Sequence, residues 1–249
     1  MNANKKLGII GGMGSRAGAV FFQKVIDYSP AIADQDFLEI ILHNNSLIPD
    51  RTKAIVYNEV SPVPELIRSV KILEQNKVDA IFLSCITSHF FYELFSIHTK
   101  AIFIHPVKVA VEHVLKEYKQ VKNVGLLATT GTIQSMLFHK EFSKHGIQVI
   151  TLEPKDQEEC FMKSIYMENG LKSSHISKDA KSLLLDCVYK MKELDVDLIL
   201  GGCSELSIIC DNDFSDRIPY LDVIDISALE TVKYCYNIND VKANMALNK

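Results

Sequence analysis

The chain has no apolar run that approaches the length needed to cross a bilayer. It has no cluster of lysine and arginine, and its net charge is −4. Together these remove the phosphate-tracking surface that a nucleic-acid-binding protein needs. There is no low-complexity linker, so any two halves should be tightly joined. Lys5-Lys6, the stretch from Leu7 to Met13 and Ala17-Gly18-Ala19 faintly mimic a secretory signal. The apolar stretch is short and glycine-containing, and it reads instead as a buried strand entering a tight turn. A cytoplasmic protein is expected, and its six cysteines are expected reduced rather than paired. What is present is ordinary: 47% apolar and 23% charged residues in a chain of 249, enough for one large α/β domain or two small ones.

Strand-like runs alternate with helical patterns along the whole length, which argues for parallel α/β architecture. Leu7–Ile10 leads into the turn Gly11-Gly12-Met13-Gly14 and a helix to about Ser29. Phe37–Leu42 reads as a second strand, followed by a loop from His43 to Thr52. Pro62 and Pro64 fall in the first turn of a helix, where a missing N–H is harmless. Ala80–Leu83 and Ala101–Ile104 are the next strands. The pattern then restarts with Val124–Ala128, a Thr-Thr-Gly-Thr turn and a helix to about His145. Val149–Leu152, helices near Gln157–Glu168 and Ser177–Leu194, and the strand Leu198–Leu200 follow. Tyr220–Val223 and a helix over Ile226–Tyr234 are expected to return to the first half. The expected division is residues 1–104 with 212–249 in one lobe and 105–211 in the other.

The restart is a repeat. Asp79-Ala-Ile-Phe-Leu-Ser-Cys85 echoes Asp197-Leu-Ile-Leu-Gly-Gly-Cys203, and Gly8-Ile-Ile-Gly-Gly-Met-Gly14 echoes Gly125-Leu-Leu-Ala-Thr-Thr-Gly131 at nearly the same offset, as does Phe21 to Phe138. Cys160, Cys187, Cys210 and Cys235 lie in or near helical patterns, where a cysteine is usually a small buried hydrophobe. Only Cys85 and Cys203 end apolar strand runs. Ligands of parallel sheets bind beyond the carboxyl ends of the strands, where both cysteines, both glycine turns and the His43–Thr52 loop fall. A free thiol has a pKa of about 8.5, and a strand end just before a helix favours its thiolate. Thr87, Ser88 and Ser204 are candidate N-cap hydroxyls there. Two thiols facing each other across a cleft can take a proton from one face of a carbon and return one to the other. The carbanion formed between needs hydrogen bonds and cations at a substrate carboxylate, which helix N-termini, Thr129, Thr130, Thr132 and Arg51 can supply. Arg51 also suits a distal carboxylate through paired hydrogen bonds, or it is a surface residue paired with Asp50 or Glu59.

Five blocks stand in the order of a known family: Gly8–Gly14, His43-Asn44 with Ile48–Thr52, Cys85-Ile-Thr-Ser-His89, Ala128–Thr132 and Gly202-Cys-Ser-Glu205. The chain resembles the aspartate/glutamate racemase superfamily, and within it the aspartate racemase branch, over nearly its whole length. The resemblance implies two pseudosymmetric flavodoxin-like lobes with the active site in the cleft between them. It also implies racemisation of aspartate or a related acidic amino acid without a cofactor, Cys85 and Cys203 as the opposed acid and base, and a homodimer. Substrate contacts then fall to Met13, Arg51, Ile86, Thr87, Thr130 and Ser204. The first cysteine block of the family reads Pro-Cys-Asn-Thr-Ala-His, so Ile86 stands where an asparagine holds the substrate, with only its backbone N–H retained. Ser204 replaces a threonine and keeps the hydroxyl. The branch's substrate-binding lysine has no clean counterpart; Lys172 or Lys163 is the candidate.

Other readings compete. Cys85, His89 and Cys203 make only one loose ligand pair, short of a zinc pattern, and no metal is expected. His89 can face the thiol or serve as a hydrogen-bonded structural residue, and Glu205 is expected to anchor its loop. Gly12, Gly14 and Gly18 miss the dinucleotide-binding spacing. The same cleft also suits an isomerase or decarboxylase of a non-amino diacid, or an amino-acid-binding protein without turnover.

Overall fold

The computed structural model describes residues 5–209 and 218–239. Two four-stranded sheets carry them, each strand parallel to its neighbours. The first runs β2 (Ile40–Asn44), β1 (Leu7–Gly11), β3 (Ala80–Leu83), β4 (Ile102–Ile104) from edge to edge. The second runs β6 (Gln148–Ile150), β5 (Asn123–Leu127), β7 (Leu198–Gly201), β8 (Tyr220–Asp222). Position by position the two orders are the same, as the sequence repeat requires. The central strands β1, β3 and β7 are buried at every residue, and β5 at all but its first. They are therefore continuous apolar runs rather than alternating ones, as strands covered on both faces must be.

Helices α1 (Ser15–Tyr28), α2 (Arg51–Val56), α3 (Val63–Gln75) and α4 (Tyr92–Phe95) connect the first sheet, and α5 (Pro106–Glu117) leads to the second. There α6 (Thr130–Gln134), α7 (Leu137–Ser143), α8 (Pro154–Asp156), α9 (Lys163–Tyr166) and α10 (Lys178–Lys192) follow, with α11 (Val223–Tyr236) after β8. Pro62 caps α3 and Pro64 sits in its first turn. In the first core, Phe21 of α1 stacks on Phe82 of β3 with ring centroids 3.7 Å apart. Its echo Phe138 fills the second core beside Leu126 and Leu200.

Several elements differ from the sequence reading. Tyr220–Asp222 does not return to the first half: it pairs with β7, Leu200 opposite Leu221, while α11 behind it packs on α1 and α5. The second strand begins at Ile40, because Asp34–Asp36 forms a short 3₁₀ turn that ends at Phe37. The helix expected to run to His145 is broken at Met136, whose φ of 59° ends one helical segment and starts another. Gln157–Met162 is a π-helical turn between α8 and α9. Cys210 lies outside the described residues.

Candidate active site

In both sheets the chain moves from the first strand to one side and then crosses to the other, so the strand order reverses beside β1 and beside β5. A crevice opens at such a reversal, outside the carboxyl ends of the strands. In the first sheet its walls are the glycine turn after β1 and Cys85 after β3. In the second they are Thr129 after β5 and Cys203 after β7. The two crevices meet. One cavity is lined by Met13, Arg51, Thr52, Cys85, Ile86 and Thr87 from the first half and by Thr129, Tyr166, Lys172, Cys203, Ser204 and Glu205 from the second.

Two glycines of the repeated turns permit close approaches, one within the first half and one between the halves. Gly12 has φ +95°, and a Cβ there would lie 2.3 Å from the backbone of Asn45. Gly131 begins the contact of α6 with α2 across the cleft, where a Cβ would lie 2.9 Å from Thr52 Cα. The closed cleft also joins hydroxyls. Thr87 Oγ1 lies 2.9 Å from Thr129 Oγ1 and 2.9 Å from Thr132 Oγ1.

The surroundings of the two thiols differ in sign. Both are buried and free. Beside Cys85 lies the buried guanidinium of Arg51, held by the carbonyls of Met13 at 2.6 Å and Pro49 at 3.0 Å. Burial works to lower the Arg51 pKa, but Cys85 and then Asp50 outweigh it, so the group stays charged. Its pairing with Glu59 does not occur; Glu59 faces Lys53. Cys203 Sγ instead donates to Glu205 Oε2 at 3.0 Å, and Ser204 Oγ donates to the same oxygen at 3.1 Å. Burial pushes the Cys203 thiol well up, and the Glu205 carboxylate adds to the shift.

A strap closes the rim. Asp50 caps α2 through Oδ1, which accepts the Lys53 N–H at 2.9 Å, and its Oδ2 accepts the Tyr166 hydroxyl at 2.8 Å. Lys172 Nζ donates to the Tyr166 oxygen at 2.9 Å and lies 3.5 Å from Asp50 Oδ2. Burial opposes the charge on Lys172, but Glu205 and its other anionic neighbours raise its pKa overall.

Of the residues singled out from sequence, Met13, Arg51, Cys85, Ile86, Thr87, Lys172, Cys203 and Ser204 line this cavity. Thr130 does not. Its hydroxyl donates to Glu158 at 2.5 Å, and Thr129, one residue earlier, faces the cleft. Lys163 is exposed and lies outside the lining. The expected helix caps are also absent. A 3₁₀ segment, Ile86–Phe91, follows Cys85 without a side-chain cap, and Ser88 Oγ donates to Met13 Sδ at 3.2 Å. His89 is held by the backbone, its Nδ1 lying 3.2 Å from the carbonyls of both Cys85 and Ile86. Burial and the neighbouring His105 hold its pKa well below the ordinary value. Sequence reading missed Thr52 and Tyr166. Thr52 directly follows Arg51 within a recognised block, whereas nothing in the pattern around Tyr166 marks it. Among the described residues, no group of three or more His, Cys, Asp or Glu side chains could hold a metal ion.

With fold and site in place, the comparisons with known proteins are specific. The sequence matches the Asp/Glu/hydantoin racemase family over residues 10–231, and the chain belongs to that family. It is 26% identical over 232 residues to the broad specificity amino-acid racemase RacX of Bacillus subtilis, covering 91% of this chain and 96% of that one. The aspartate racemase of Picrophilus torridus superposes with a TM-score of 0.82 at 27% identity, over 98% of this chain and all of its own. A glutamate racemase of Francisella tularensis, solved with D-glutamate, shares the fold with a TM-score of 0.63 at 18% identity, over 95% of this chain and 84% of its own.

Proposed function

We propose that this chain racemises an amino acid, aspartate or a related acidic one, by exchanging the Cα proton between Cys85 and Cys203. One observation carries the reading: two thiols from equivalent strand ends of the two halves line a single cavity with Arg51, Lys172 and five hydroxyl residues. The opposite charges beside the thiols support different roles for them. Cys203, hydrogen-bonded to Glu205, serves as the proton donor in this direction, and Cys85, beside the Arg51 guanidinium, as the base. Cys85 takes the Cα proton, the electron pair delocalises into the carboxylate, and Cys203 delivers its proton to the other face. The thiols end with exchanged protonation and are ready for the opposite enantiomer. Arg51, Lys172 and the hydroxyls of Thr87, Thr129 and Ser204 provide the donors that stabilise the enolate charge.

A wider substrate range has its own support. Ile86, an apolar residue, is part of the cavity lining, and RacX is a racemase of broad specificity. A homodimeric, cytoplasmic enzyme follows from the family resemblance, to be tested by sedimentation and fractionation. The function is tested by incubating pure L-amino acids, acidic and uncharged, under reducing conditions and separating the products on a chiral column. Appearance of a D-enantiomer, abolished in Cys85→Ser and in Cys203→Ser, is expected. Conversion only of an unsaturated diacid, or tight binding without conversion, would replace this reading by one of the two alternatives.

A further inference from the structure

Asp222 ends β8 and takes no part in the chemistry above. Its side chain is buried, and Oδ1 accepts two hydrogen bonds, from Ser207 Oγ at 2.7 Å and from the Ile224 N–H at 2.9 Å. The second caps α11. The first reaches the turn Leu206–Ile208 that directly follows the Cys203-Ser204-Glu205 segment. Oδ2 has no hydrogen-bond partner among the described residues, and its counter-charge is Lys24 Nζ of α1, 4.0 Å away. Lys24 is itself bonded to Asp225 Oδ1 at 2.7 Å, which also accepts the Tyr28 hydroxyl at 2.5 Å. Asp27 on α1 completes the charged groups facing this cluster. One carboxylate therefore ties the Cys203 segment to α11 and to α1, the helix that starts at the cleft.

We propose that Asp222 is a positioning residue whose carboxylate holds Ser207, and through it the Cys203–Glu205 segment, in the geometry of the closed cleft. Its consequence for turnover rests on the racemase reading, whereas its hold on Ser207 does not. A carboxylate accepts a hydroxyl's hydrogen bond more strongly than a neutral carboxyl does, so the hold weakens on protonation. Burial raises the Asp222 pKa to about 6, against the opposing pull of Ser207 and Lys24. The change therefore falls just below neutrality, and removing Ser207 moves it upward.

Hydrogen exchange of the backbone over residues 203–209, read by mass spectrometry without substrate, tests this. Comparison of variants at one pH cancels the intrinsic exchange rate. Between about pH 7.5 and about pH 5.5 the wild type should lose roughly tenfold protection relative to Asp222→Asn, on the order of one hydrogen bond. The asparagine oxygen accepts the same two bonds at either pH. Ser207→Ala should be unprotected at both. In turnover, the wild-type rate should fall more steeply than that of Asp222→Asn below about pH 6. Equal protection of wild type and Asp222→Asn at both pH values, or Ser207→Ala protected like the wild type, would overturn the proposal. The expected protection pattern in a protein without any turnover would support the role of Asp222 and refute the racemase reading instead.

Discussion

At the scale of single residues, the site is a set of charges placed by burial. The loss expected for Cys85→Ser or Cys203→Ser is about 10²–10⁴-fold in racemisation, the usual worth of a positioned acid or base, with the melting temperature little changed. Asp222 gives a prediction with a definite sign. Burial raises its pKa from an ordinary 3.8 to about 6 in the folded protein. A raised carboxyl contributes stability that is complete below its unfolded pKa and is lost as pH rises through about 6. Asp222→Asn lacks this titration. Urea unfolding at about pH 4.5 and about pH 8 should therefore show the variant gaining on the wild type by about 2 kcal/mol as pH rises. A difference independent of pH would show that Asp222 does not titrate between these values. The sequence marked both thiols because they end buried strands in a repeat. It could not separate Thr129 from Thr130, since the residue that faces the cleft depends on where the strand ends and α6 begins. Tyr166 carries no such mark, because its role comes from Asp50 and Lys172, distant in the chain.

Among elements, the turns are more demanding than the strands. Gly131 lets α6 approach α2, and a methyl group at that position would meet the backbone of Thr52. Gly131→Ala should leave each half folded while holding the cleft partly open, at about 1–3 kcal/mol against the closed form. That amounts to a roughly tenfold or greater fall in kcat/KM with little change in the far-ultraviolet circular dichroism; unchanged kinetics would show that the contact is not needed for closure. Parallel strands announce themselves as continuous apolar runs, which is why β1, β3, β5 and β7 were legible. Which sheet β8 joins was not. Tyr220–Asp222 is a short strand with nothing in its residues to choose between the sheets, and it pairs with β7, the strand before it. The 3₁₀ segment after Cys85 was equally hidden, because its residues suit an α-helix as well. Its consequence is chemical: with no regular helix starting at Cys85, the cation facing that thiol is Arg51.

For the whole molecule, the two halves meet over a cleft already closed by a hydroxyl cluster and by the Asp50, Tyr166 and Lys172 strap. A bound amino acid must be screened from water yet able to leave, so strap strength should trade affinity against release. Tyr166→Phe removes the hydroxyl that joins the two halves. It should raise KM by roughly tenfold, the worth of a hydrogen bond to a charged group, while affecting kcat less. A fall in kcat alone would place Tyr166 in the chemistry rather than at the rim. The central claim is that opposed thiols exchange a Cα proton, and proton NMR in D₂O under reducing conditions tests it most directly. With aspartate, glutamate and a panel of uncharged amino acids offered as L and as D forms, at least one pair should lose its Cα–H signal as the opposite enantiomer appears. Both Cys85→Ser and Cys203→Ser should suppress that interconversion. A folded protein that exchanges no Cα proton in any of them, or exchanges it equally well without either thiol, would contradict the account.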